Sequence, residues 1–133
     1  GGDCSGVDFA GVTTIYNTSS AFVAWKRDLG QAVCWGHSIF GGDCSGVDFA
    51  GVTNIYNTSS AFVAWKRDLG QAVCWGHSIF GGDCSGVDFA GVTTIYNTSS
   101  AFVAWKRDLG QAVCWGQAAF GGNCSGVDFA GVT

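Results

Sequence analysis

The chain has 133 residues, 47% of them hydrophobic and 12% charged, which sets aside charge-driven disorder and leaves room for one modest core. Six Lys and Arg stand against ten acids, all Asp, for a net charge of −4; clustered cations are missing, so nucleic acid is not an expected partner. No apolar run reaches the roughly 18 residues of a membrane-spanning helix, so no span is expected.

Residues 1–40 recur at 41–80 and 81–120, and residues 121–133 repeat the first part of the unit. Inside one unit, Val12-Thr13-Thr14-Ile15-Tyr16 is β-branched and aromatic and predicts a strand. Asn17-Thr18-Ser19-Ser20 predicts a turn. Ala21 to Arg27 predicts a second strand, with Ala21, Val23 and Trp25 on one face and Phe22, Ala24 and Lys26 on the other. Asp28-Leu29-Gly30 predicts a three-residue hairpin loop with Gly30 in the left-handed conformation. Gln31 to Trp35 predicts a third strand, with Gln31, Val33 and Trp35 on one face; Trp25 and Trp35 are expected to pack on one side of the hairpin. Gly36 to Gly46 predicts a Gly-rich loop, and Val47-Asp48-Phe49 a short fourth strand. Helical periodicity and helix-starting chemistry are both missing, so the expected fold is all-β.

Near-identical units make near-identical neighbour contacts, so one operator relates each unit to the next and either closes a ring or runs on as a filament. Three units and a third read as a window of a longer array, and the lack of Met as a mature product or a fragment. The expectation is an open array or filament of blade-like antiparallel units, not a closed single-chain propeller.

The pattern Ile15-x-x-Thr18, then Ala21-Phe22-x-Ala24-x-Lys26-x-Asp28, Gly30-x-x-Val33-x-Trp35-Gly36, resembles repeats of the regulator of chromosome condensation type. The likeness covers about half of each unit. It implies a four-stranded propeller blade per repeat. Two departures stand out: Leu29 intervenes in the usual Asp-Gly hairpin, and Phe40-Gly41-Gly42-Asp43-Cys44 replaces the usual Gly-Gln-Leu-Gly. The founding member's nucleotide-exchange activity and the closure of its ring are not carried over.

Cysteines at 4, 34, 44, 74, 84, 114 and 124 admit two pairings that keep the repeat symmetry. One joins Cys34–Cys44, Cys74–Cys84 and Cys114–Cys124 and leaves Cys4 to a preceding unit. The other joins Cys4–Cys34, Cys44–Cys74 and Cys84–Cys114 and leaves Cys124 to a following unit. The first is preferred because it clips each Gly-rich loop and staples one unit to the next, at a gain of about 3 kcal/mol per loop. Buried free thiols are the plainer alternative. Sequons at Asn17, Asn57 and Asn97 lie in expected turns, and Asn123-Cys124-Ser125 makes a fourth; N-linked glycans are expected, less so at Asn123.

Catalytic and cofactor chemistry find no support. His37 and His77 have no third counterpart because position 117 is Gln, and no close Cys-x-x-Cys exists, so no metal site is expected. Asp3, Asp8 and Asp28 read as turn formers, since the surrounding sequence does not match the known calcium repeat. Lys26-Arg27 reads as a solvated strand end, and Trp25, Trp35 and Tyr16 as core. The expected function is structural: a secreted or cell-surface, disulfide-stapled stack of β-repeats that associates with identical repeats or chains. A closed propeller holding glycan or protein multivalently is the alternative, and a designed symmetric protein a third. An enzyme is not expected.

Overall fold

The computed structural model describes residues 6–124, 126, 127 and 129. The described chain is all-β: three similar antiparallel three-stranded sheets in tandem, open and not closed into a barrel or ring. The first sheet comprises β1 (Thr14–Asn17), β2 (Ala21–Lys26) and β3 (Gln31–Gly36) in the order β1-β2-β3. The second comprises β4 (Asn54–Asn57), β5 (Ala61–Lys66) and β6 (Gln71–Gly76); the third comprises β7 (Thr94–Asn97), β8 (Ala101–Lys106) and β9 (Gln111–Gly116).

The hairpin between β2 and β3 differs from the expected one by a single residue. A 3₁₀ turn takes Arg27–Leu29, and Gly30 follows at φ 64°, so the loop has four residues and Lys26 pairs with Gln31. That register sets Phe22 opposite Trp35 and Trp25 opposite Ala32. The two tryptophans therefore occupy opposite faces, because a one-residue slip turns every side chain of a strand over. Phe22 becomes the partner of Trp35, with rings stacked at 5.3 Å.

The expected fourth strand does not form. Residues 43–52 make consecutive turns: Val47 N donates to Cys44 O and Val52 N to Phe49 O, while the carboxylates of Asp43 and Asp48 accept from Ser45 N and Ala50 N. Local side-chain acceptors draw these amides away from any ladder. Each unit therefore pairs three strands, one fewer than the blade that the sequence resemblance implies.

The core lies between the sheets. Ala21, Val23 and Trp25 of the first unit pack against Ile55, Phe62, Ala64 and Trp75 of the second, with Phe49 and Val52 of the connection between them. Val63 and Trp65 meet Ile95, Phe102, Ala104 and Trp115 in the same way. One face of each sheet thus receives the opposite face of the next. Lys26 and its equivalents are buried, not solvated: Lys66 Nζ lies 3.9 Å from Asp48 and Lys106 Nζ 4.0 Å from Asp88. Arg27 is exposed beside Asp28.

Candidate interaction surfaces

Three features recur from unit to unit, and a fourth sets the end faces apart from the internal ones. The first is aromatic. Trp75 stacks on Phe62 at 5.3 Å and receives the edge of Phe49 at 5.5 Å, while its indole N–H donates to Gly41 O at 3.2 Å. Trp115 repeats this with Phe102, Phe89 and Gly81 O. Gly41 sits at φ 102°, and a Cβ there would stand 2.5 Å from the Phe62 ring, so both backbone and space require glycine.

The second is a polar spine along the β1, β4 and β7 side. Ser19 N and Oγ both donate to Ser59 O, at 2.8 and 2.9 Å, and Ser59 does the same to Ser99 O. Asn57 Nδ2 donates to Asn17 O and Thr58 O; Asn97 Nδ2 donates to Asn57 O and Thr98 O. The sequons at Asn57 and Asn97 thus serve as cross-unit rungs. Asn17 Nδ2 donates to Thr18 O within its own turn. Each spine threonine ties the turn to the next segment, as where Thr58 Oγ1 donates to Phe80 O at 2.8 Å.

The third is covalent. Disulfides join Cys34 to Cys44, Cys74 to Cys84 and Cys114 to Cys124. Each ties the third strand of a unit to the connection leading onward. Cys4, and with it the link to a preceding unit, lies outside the described residues, as does Asp3. Asn123 is described, but Ser125 of its sequon is not. His37 and His77 cap 3₁₀ turns, Nδ1 accepting from Ile39 N and Ile79 N, and lie against Phe40 and Phe80.

The fourth is the contrast between terminal and internal faces. Phe22 is 37% exposed, whereas its equivalents Phe62 and Phe102 are 0% and 1% exposed. Ile15 is 51% exposed, against 3% for Ile55 and 2% for Ile95. At the far end Tyr96 is exposed and Val103 partly so.

Electrostatic perturbations are few. The backbone N–H of Ser45, with help from its hydroxyl, holds the Asp43 carboxyl below the ordinary 3.8, and Ser85 does the same for Asp83. Burial raises the Tyr56 phenol above 10.0, with the neighbouring Tyr16 adding to it. Asn54 replaces the threonine of the other units opposite Trp65; its Oδ1 and the Trp65 Nε1 are both buried without a partner.

The sequence showed the cysteine positions and three of the four expected strands of each unit, but not the hairpin register, the spine or the Gly41–Phe62 contact. The only available signal was that Ser19 and Gly41 recur at every period. That shows equivalence of position, not contact.

No protein-family model matches the chain, and no curated protein does. Among solved structures it is similar to the entire ectodomain of the Physcomitrella patens receptor kinase CR4, with 18% sequence identity and a TM-score of 0.57 over 79% of this chain. The match takes in 29% of that ectodomain, so this chain spans under a third of its length, and at such identity the likeness concerns the fold alone.

Proposed function

We propose that the chain is a structural module of a secreted or surface protein, one that extends by stacking disulfide-clipped sheets head to tail. The observation that carries this reading is one junction made twice: the first sheet covers Ile55 and Phe62 of the second as the second covers Ile95 and Phe102 of the third, and Ile15 and Phe22 present the equivalent surface. The equivalent of the covering surface recurs at the opposite end of the chain, where Val103 is partly exposed and Trp105 is buried against Phe129. Two complementary faces at opposite ends make a heterologous contact, which propagates unless its rotation closes. Another repeat of this sequence is the natural occupant, since that is what covers the face internally. Three disulfides and similarity to an ectodomain support an extracellular setting. No helix among the described residues is long and apolar enough to cross a membrane.

Sedimentation velocity and negative-stain microscopy of the oxidised chain over a wide concentration range test the reading. Head-to-tail oligomers or filaments are expected, and Phe22→Arg should abolish them while leaving a folded monomer. A chain that stays monomeric throughout, or closes into small rings, overturns it.

N-linked glycans are a separate proposal that applies to an uncovered first unit: a repeat stacked there would take the second Nδ2 hydrogen of Asn17, as the preceding units take those of Asn57 and Asn97. A sugar replaces one of the two Nδ2 hydrogens, and Asn57 and Asn97 each use both. Asn17 spends one. Peptide mapping of protein secreted from a eukaryotic host, before and after glycosidase, should find sugar at Asn17 and bare Asn57 and Asn97. Full occupancy of all three in a folded chain refutes the assignment.

A further inference from the structure

The outer strand of each sheet, β3, β6 or β9, pairs with no further strand among the described residues. His37 N donates to Ser20 O at 2.9 Å, which sets the alternation of the ladder. Gln31, Val33 and Trp35 then exchange hydrogen bonds with β2, and Ala32 and Cys34 turn their N–H and C=O outward. Among the described residues no backbone hydrogen bond reaches these two from outside the sheet. Natural edges are commonly blunted by charge, proline, a bulge or a covering segment. The six residues Gln31 to Gly36 carry no charge and no proline. The segment expected to pair there as a fourth strand makes turns instead, and the disulfide from Cys34 to Cys44 ties it beside β3 with 5.8 Å between the Cα atoms.

A groove results between β3 and the connection. It encloses about 440 Å³ in each of the first two units and about 500 Å³ in the third. Its floor is the strand backbone from Gln31 to Cys34, and its far wall runs from Gly42 to Phe49. The lining carries Asp43 and Asp48 in the first unit and Asp83 and Asp88 in the second, with no Lys or Arg. Asp48 and Asp88 share their charge with buried lysines. Among the described residues no Lys or Arg pairs with Asp43 or Asp83, which accept from Ser45 N and Ser85 N. In the third unit Asn123 stands at this position.

We infer that these grooves bind an extended, basic peptide segment of a partner protein, which adds as a fourth strand to β3 and β6. Main-chain hydrogen bonds to Ala32, Cys34 and their equivalents provide the pairing, and alternate Lys or Arg side chains reach the carboxylates. A second copy of this chain is the poorer occupant. Its own edge strand brings no cation, and each chain carries a net charge of −4. The 40-residue period sets equivalent grooves side by side, so a partner with several such segments gains from avidity. This surface is separate from the stacking faces, and either proposal can fail without the other.

The test uses the full oxidised chain and a fluorescein-labelled, end-capped octapeptide of alternating Lys and Val. Anisotropy should show saturable binding. N-methylation of every second peptide amide should weaken it at least about tenfold, since it removes the pairing and keeps the charge. Asp43→Asn with Asp83→Asn should weaken it about fivefold at low salt. Amide exchange should slow at Ala32 and Ala72 on binding. The inference is overturned by any of three results: no binding at about 1 mM peptide, equal binding of the N-methylated peptide, or equal binding of a Glu-Val analogue. The peptide comparisons require no altered protein, so a misfolded variant cannot obscure the outcome.

Discussion

Phe22, Phe62 and Phe102 occupy the same position of one hexapeptide, Ala-Phe-Val-Ala-Trp-Lys, and differ only in what lies above them. Truncating each to alanine separates the worth of the local sheet from that of the junction. Phe62 is fully buried between Trp75 and Gly41, so Phe62→Ala loses its transfer energy and leaves an enclosed cavity, at a cost of about 3–5 kcal/mol. Phe22 is 37% exposed and stacks only on its own sheet's side. Scaling a full-burial gain of about 2.5 kcal/mol by a buried fraction of roughly 0.6 gives about 1.5 kcal/mol, with no closed cavity to add. Phe102→Ala should resemble Phe62→Ala. The difference of about 1.5–3.5 kcal/mol is read by urea unfolding of the oxidised monomer, following far-ultraviolet circular dichroism and tryptophan fluorescence together. Coincidence of the two probes licenses a single unfolding free energy, a necessary check in a repeat protein. Equal costs for Phe22→Ala and Phe62→Ala would refute the claim that stability resides between the sheets.

Asn57→Asp removes both donors of a rung and sets a carboxylate against the Asn17 carbonyl; a loss of about 1–3 kcal/mol in urea is expected, with a smaller one for Asn17→Asp. Converting Cys34 and Cys44 together to alanine frees a ten-residue loop and should cost about 3 kcal/mol, measured as a fall in urea midpoint that matches the partial effect of a reductant on the parent chain. The urea midpoint should also depend on pH at both extremes. Asp43 and Asp83 lie below 3.8 in the folded chain, so their contribution is complete above that value and vanishes as acid titrates them; Asp43→Asn with Asp83→Asn should flatten the acid limb. Tyr56 lies above 10.0 when folded, so its contribution is complete below that value and is lost as the solution becomes more alkaline; a midpoint that rises at either extreme contradicts these assignments.

The strands were legible because their evidence is local. Thr14, Ile15 and Tyr16, and then Phe22, Val23 and Trp25, carry β-branched and aromatic side chains that suit a pleated surface wherever it lies. Gly30 was legible as a left-handed residue for a similar reason: it follows a short polar turn between two such runs. The hairpin register was less so. Three-residue and four-residue loops are both consistent with Asp28-Leu29-Gly30, and that one residue decides whether Trp35 meets Trp25 or Phe22. Asp43 and Asp48 explain the missing fourth strand, but their hold on Ser45 N and Ala50 N appears only when the turn is built.

Periodicity by itself determined that this protein is a series of equivalent β modules, because identical sequence under identical neighbours adopts identical structure. The tertiary structure alone decided what each module offers the next. Contact between units depends on which face a side chain takes and on how closely backbones approach, as where the Phe62 ring lies on Gly41 and Ser19 bonds to Ser59. Those distances come from packing two sheets together, and packing energy has no counterpart in the pattern of a single strand.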